Sequence, residues 1–243
     1  MPIFPSSSSI LSAVHLASWL NETYHFAQEA KCTLIRAGIN HHYLVETVSE
    51  KYILRVYFYQ WRSLNQIQEE LDFILSLQQL GQAVAHPIAN RNNQYLNTLN
   101  AIEGERFAVL FSFALGDYLP NPAPEICFQI GKRMANFHKV SKNQFFKYRK
   151  TYGIEALSGW ALGEITQRFT KDFQPVQILQ KMHQAIESAF NNIDVTTLAQ
   201  GKIHLDIWYD NMRITADHKI TLYDFDNCGN GWFLLDLAYT CMT

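Results

Sequence analysis

Two stretches decide how this chain is read. One is Ile203-His204-Leu205-Asp206-Ile207-Trp208-Tyr209-Asp210-Asn211. The other is Ile220-Thr221-Leu222-Tyr223-Asp224-Phe225-Asp226. The first has the form H-x-D-x-x-x-x-N. With 9 His, 10 Asp and 16 Asn in 243 residues, about 0.02 such matches are expected by chance. Thirteen residues after Asn211, Asp224 closes a short strand-like run. A capped turn or a strand-end carboxylate would account for any one of these residues. Three oxygen-bearing side chains in this order call for a chemical reading.

Phosphoryl transfer from ATP supplies that reading. It needs an acceptor hydroxyl held in line and metal ions that neutralise phosphate charge. Asp206 on a rigid loop can take the hydroxyl proton. Asn211 can turn its amide oxygen to Mg²⁺, and Asp224 can bind the same ions, hard oxygen ligands being what Mg²⁺ prefers. The order resembles the catalytic and metal loops of protein kinases, with departures: Leu205 stands in place of Arg, the second run is D-F-D, and no G-x-G-x-x-G lies near the first strands. With these departures the chain resembles the aminoglycoside phosphotransferase and choline kinase superfamily, including homoserine kinase type II and the stress-response kinases. That superfamily carries H-G-D-x-x-x-x-N and D-F-D or D-F-E; here Leu205 replaces its Gly.

The resemblance extends over about residues 30 to 240. Gly38-Ile-Asn40-His-His-Tyr43-Leu-Val45 is similar to the turn that covers the nucleotide phosphates, which implies a nucleotide contact for Asn40; the residue type alone reads as turn chemistry. The nucleotide-contacting Lys falls at Arg55, a bidentate phosphate ligand but not a neutral swap. Glu70 falls where a helix glutamate pairs with that base, Glu69 being the alternative. Leu110 to Gly116 is similar to the hinge, with backbone groups near Ser112 and Ala114 for adenine. Gly131, Ala135 and His138 fit a structural helix motif, and Asp236 a position just past the metal loop.

The resemblance implies an α+β, bilobal protein-kinase-like fold with an antiparallel β-sheet N-lobe carrying one helix and a mostly helical C-lobe. ATP and Mg²⁺ are the implied cofactors, and a small-molecule hydroxyl acceptor (amino sugar, amino alcohol or homoserine-like) the implied partner. A nucleotide-binding pseudokinase and a protein Ser/Thr kinase are the rival readings.

The surrounding pattern gives the same organisation. Ser6 to Ser9 offer caps to a leading helix over 8–28. Cys32–Gly38, His42–Val48 and Lys51–Tyr57 read as an antiparallel meander, and Ser63–Leu80 as a helix with Ile67, Leu71, Ile74, Leu75 and Leu77 inward. Ala83–Ile88, Tyr95–Leu99 and Arg106–Phe113 read as strands. Gly116–Pro124, with three prolines, marks the boundary between a nucleotide-binding lobe over 1–115 and a helical catalytic lobe over 116–243. Helices are expected over 124–140, 153–169 and 175–193. Asp224 lies 19 residues before Thr243, which is short for a complete acceptor pocket unless residues 141–200 build it, a partner completes it, or the chain is truncated.

Composition closes off other classes. Charged residues are 17%, and a net charge of −2 gives no general grip on nucleic acid or an anionic membrane. The longest apolar stretch, Phe107–Leu115, is too short to span a bilayer. Four cysteines at 32, 127, 228 and 241 form no C-x-x-C pair and read as reduced thiols of a cytoplasmic protein. Oligomeric state is left open.

Overall fold

The computed structural model describes residues 9–242. The chain divides into two compact units. One is built from the residues up to Tyr118 together with Met212–Tyr223, the other from Leu119–Asn211 and Asp224 onward.

The first unit opens with α1 (Ala13–Thr23), whose Leu16 and Leu20 are buried. The expected caps Ser6 to Ser8 lie outside the described residues. α1 stops short of residue 28 because Asn21 turns its side chain to both the N–H and the C=O of Ala30, and Tyr24 is extended. Strands β1 (Lys31–Ala37), β2 (His41–Glu46) and β3 (Lys51–Val56) form the expected meander. α2 (Leu64–Gln79) follows; Ser63 and Gln66 close a capping box at its start, and Ile67, Leu71, Ile74 and Leu77 are buried. β4 (Asn97–Ala101) and β5 (Gly104–Ser112) complete an antiparallel sheet ordered β1-β2-β3-β5-β4. Tyr43, Val45, Leu54, Val56, Ala108 and Leu110 join α1 in one core on one face of that sheet. Each such Val or Leu side chain removed from water contributes about 1.5–3 kcal/mol. Alternation along β3 sends Arg55 to the opposite face from Leu54 and Val56.

Ala83–Ile88 is not the strand its apolar run predicts. Pro87 has no N–H to continue a ladder, and the segment bridges at single residues. Ile88 N–H donates to Leu110 O at 2.7 Å, and Ser112 N–H to His86 O at 2.8 Å.

In the second unit α3 (Pro124–Ser141) starts on Pro124 and buries Ile126, Met134 and Phe137. β6 (Thr151–Tyr152) precedes a π-helical turn, Glu155–Gly159, so the expected helix over 153–169 is regular only as α4 (Trp160–Arg168). α5 (Gln174–Asn191) and β7 (Gln200–Ile203) follow. The hairpin β8 (Met212–Ile214) and β9 (Ile220–Leu222) belongs to the first unit. Ala85 N–H donates to Leu222 O, and Asp117 and Ile214 exchange both backbone bonds. Gly116 makes that approach possible: its φ is +107°, and a Cβ there would stand 2.5 Å from the Ile214 carbonyl carbon. Back in the second unit, β10 (Gly229–Trp232) lies between β6 and β7, and α6 (Phe233–Met242) follows. Among the described residues no helix is long and apolar enough to cross a membrane.

Candidate active site

In the second unit the segment after β7 is held by α6 rather than by a ladder. Leu205 has φ +60°, a left-handed conformation that costs a non-glycine residue roughly 1–2 kcal/mol. Asp236, fully buried in the first turn of α6, holds it there. Its Oδ1 accepts the Leu205 N–H at 2.6 Å, and its Oδ2 accepts the His204 N–H at 3.2 Å and lies 2.8 Å from His138 Nε2. One turn on, Thr240 Oγ1 donates to Ile207 O at 2.7 Å. His204 is buried, with its ring 4.3 Å from that of Phe225. Its place is inside the loop's packing.

These bonds fix Asp206 between them. Asn211 Nδ2 donates to Asp206 Oδ2 at 2.8 Å and to its carbonyl at 3.0 Å. Asn227 Nδ2 donates to the same Oδ2 at 3.2 Å. Burial and the Asp206 carboxylate push the pKa of the Tyr239 phenol of α6 up to about 12. With the Asn211 nitrogen turned to Asp206, its Oδ1 is the atom left for a cation.

The second expected ligand, Asp224, also sits in a left-handed conformation, φ 63° and ψ 63°. The turn after it is clamped from beneath. Arg149, buried, donates through Nη1 to the carbonyls of Phe225, Asp226 and Cys228 at 3.3, 2.9 and 2.9 Å. Carbonyl oxygens thus satisfy a cation that would otherwise be expensive to bury. Tyr152 adds a bond from its hydroxyl to Asn227 O at 3.1 Å. Among the described residues no group of three or more His, Cys, Asp or Glu is placed to hold a metal by itself. An amide oxygen and a carboxylate instead fit Mg²⁺, which takes one or two protein oxygens and fills its shell with water and substrate phosphate.

In the first unit Arg55 Nη1 meets Glu70 Oε1 at 2.7 Å. Both residues are buried, at 4% and 0% exposure, where a lone charge could not stay. Tyr57 donates its hydroxyl to Glu70 Oε2 at 3.2 Å, Arg55 Nε donates to His42 Nε2 at 3.4 Å, and the Phe111 ring lies 5.0 Å from the guanidinium. Glu69, the alternative partner, lies half-buried one residue earlier.

The hinge and turn residues are placed differently. Asn40 is buried, and its Oδ1 accepts the Phe58 N–H at 3.2 Å, so it ties the first turn to the end of β3. Ser112 is bound to His86: its N–H donates to His86 O, and its Oγ accepts the His86 N–H at 3.0 Å. Burial lowers the pKa of the His86 ring, which keeps it neutral beside that hydroxyl. Ala114 lies beyond the strand and has no backbone hydrogen-bond partner among the described residues. Asn227, Tyr239, Arg149 and Tyr152 escaped the sequence reading. Asn227 follows D-F-D directly and could have been suspected. The other three carry no spacing signal, since only the fold brings them to the two loops.

The fold is of the protein-kinase-like α+β class. The chain belongs to the phosphotransferase enzyme family, whose model matches residues 31–243. An uncharacterized protein of Synechocystis sp. is 29% identical over 97% of this chain and 66% of its own length. The homoserine kinase of Methylobacillus glycogenes is 26% identical over 95% of this chain and 69% of its own. The chain thus spans about two thirds of the length of these curated relatives. Among solved structures, an amicoumacin kinase in complex with AMP-PNP and Ca²⁺ superposes with a TM-score of 0.77 at 19% identity, covering 95% of this chain and 68% of that one. A microcompartment-associated aminopropanol kinase gives 0.70 at 21%, covering 93% and 73%. These two likenesses establish the fold.

Proposed function

We propose that this chain transfers the γ-phosphate of ATP to a hydroxyl of a small amino-bearing molecule. Supporting this most directly is the Asp206 carboxylate: Asn211 and Asn227 both donate to its Oδ2, so neither amide engages the other oxygen, the one that would receive a proton. In the second unit Asp206 is the base, and Asn211 and Asp224 would hold Mg²⁺, which when bound neutralises phosphate charge. In the first unit Arg55, set by Glu70, steadies phosphate, and the backbone at Ala114 receives adenine. Asn40 and Ser112 serve by shaping the turn and the hinge, since the bonds described engage them within the protein. The small-molecule class draws support from relatives named homoserine kinase and from neighbours named for aminopropanol and amicoumacin.

The test is ADP release from Mg·ATP with homoserine, aminopropanol, choline, aminoglycosides, sugars and an unfolded polypeptide as acceptors. Asp206→Asn is run beside the native chain. Turnover with one of the small molecules, falling by about 10²–10⁴-fold in the variant, is expected. Equal turnover by both proteins would remove Asp206 from its role. Phosphate on the polypeptide alone would move the acceptor class to protein.

A further inference from the structure

We propose that Asn227 is a positioning residue that fixes which oxygen of Asp206 meets the acceptor hydroxyl, and that Tyr152 acts through it. The proposal rests on the reading of Asp206 as the base. A carboxylate oxygen has about two accepting positions. Oδ2 of Asp206 accepts Asn211 Nδ2 at 2.8 Å and Asn227 Nδ2 at 3.2 Å, so two amides from two different loops fill it. Either amide alone would leave a position on Oδ2 and let a hydroxyl bind at the wrong oxygen. Together they direct it to Oδ1.

The turn that carries Asn227 is built to aim it. The carbonyls of residues 225 to 228 are all engaged: Arg149 Nη1 donates to those of Phe225, Asp226 and Cys228, and the Tyr152 hydroxyl donates to that of Asn227 at 3.1 Å. Tyr152 is itself fixed. Its backbone pairs with Gly231 where β6 meets β10. A Cβ on Gly229 would stand 2.6 Å from Tyr152 Cε2, so glycine there lets the ring lie against the turn. Asp224 caps the short helical turn that ends at Asn227. One segment therefore carries both a proposed metal ligand and an anchor of the base, and holds the two in register. Such register matters, because a misplacement of about 1 Å at a reacting group can cost about 10²-fold in rate.

Asn227→Ala removes the amide, and Asn227→Asp keeps its shape but exchanges a donor for an acceptor. Both are compared with the native chain, Tyr152→Phe, Asp206→Asn and the double variant Asn227→Ala with Tyr152→Phe. The readouts are ADP release from Mg·ATP with homoserine, with aminopropanol and with water alone, the Mg²⁺ dependence of that release, and thermal midpoints. For Asn227→Ala, kcat is expected to fall about tenfold, the equivalent of one hydrogen bond. KM for ATP and the half-saturating Mg²⁺ concentration should not change, since Arg149 still holds the turn that carries Asp224. Asn227→Asp should fall at least as far. Tyr152→Phe should lose less, and the double variant should be no slower than Asn227→Ala, because Tyr152 then has nothing to act through. A native kcat in Asn227→Ala beside a slow Asp206→Asn overturns this proposal alone. A fall in kcat that comes with weakened Mg²⁺ dependence also overturns it, since the turn would then have collapsed. Additive losses in the double variant remove Tyr152 from the route. An Asp206→Asn variant as fast as the native chain overturns the reading of Asp206 as the base.

Discussion

The Arg55–Glu70 pair and the Asp206 loop are positioned by opposite means. Arg55 is aimed by the pleat of β3 and Glu70 by the period of α2, two regular elements whose own ladders satisfy their backbones. Their charges lie in a dry environment, at 4% and 0% exposure, where each needs the other. The Asp206 loop has no ladder. Left-handed residues at Leu205 and Asp224 turn the backbone, and side chains from α6 and the segment before β6 receive or supply the bonds a ladder would have provided. Regular structure aims a side chain and desolvation makes it dependent on its partner. Irregular structure aims a side chain through particular side-chain-to-backbone bonds, each of which can be cut alone.

The largest expected effect follows from the first case. Glu70→Ala leaves the Arg55 guanidinium buried without its carboxylate and should lower unfolding free energy by about 3–5 kcal/mol, read from denaturant midpoints. Arg55→Met with Glu70→Leu removes both charges, so most of that loss should return while nucleotide-induced stabilisation disappears. If the double variant is no more stable than Glu70→Ala, desolvation is not what binds the pair. In the loop, Asp236→Asn keeps the shape but replaces one acceptor of an amide or of His138 by an N–H. A loss of about 2 kcal/mol is expected, together with a fall in kcat larger than any change in KM for ATP. An unchanged kcat would mean that α6 does not set the loop.

The same contrast governs what could be read in the sequence. The three-strand meander, α2 with its inward Ile67, Leu71, Ile74 and Leu77, and α3 follow from period and punctuation, because burial of one face is what those periods encode. The pairing of Asp206 with Asn211 was legible through spacing, since a short loop brings their side chains within hydrogen-bond reach. Arg149 and Thr240 were not. Each meets its loop across more than 30 residues of chain, 76 from Arg149 to Phe225 and 33 from Ile207 to Thr240, and no local pattern encodes so distant a contact. Ala83–Ile88 misled for a related reason. Val84 and Ala85 are buried, but Pro87 and single-residue bridges to two different partners deny the segment a ladder.

A smaller effect separates conformation from contact at Leu205. The family's H-G-D places glycine where this chain has leucine, and the observed φ of +60° gives the reason glycine suits the site. Two substitutions divide the side chain's role from the backbone's. Leu205→Ala removes the half-buried side chain but keeps the left-handed penalty; Leu205→Gly removes both. Glycine should therefore be the more stable of the two by about 1 kcal/mol, the reverse of their order in a helix, where alanine leads by a similar margin. The measurement is a pair of denaturation curves with Asp236 intact and again as Asn. With Asp236 intact its two acceptor bonds hold the turn in either variant, and the gap reads the strain alone. With Asp236→Asn the restraint is weaker, so an alanine variant can relax toward a right-handed turn and the gap should shrink. A gap that does not change would mean that flanking chain, rather than Asp236, imposes the left-handed turn. The contrast between a ladder-aimed and a bond-aimed side chain would then fail at this residue.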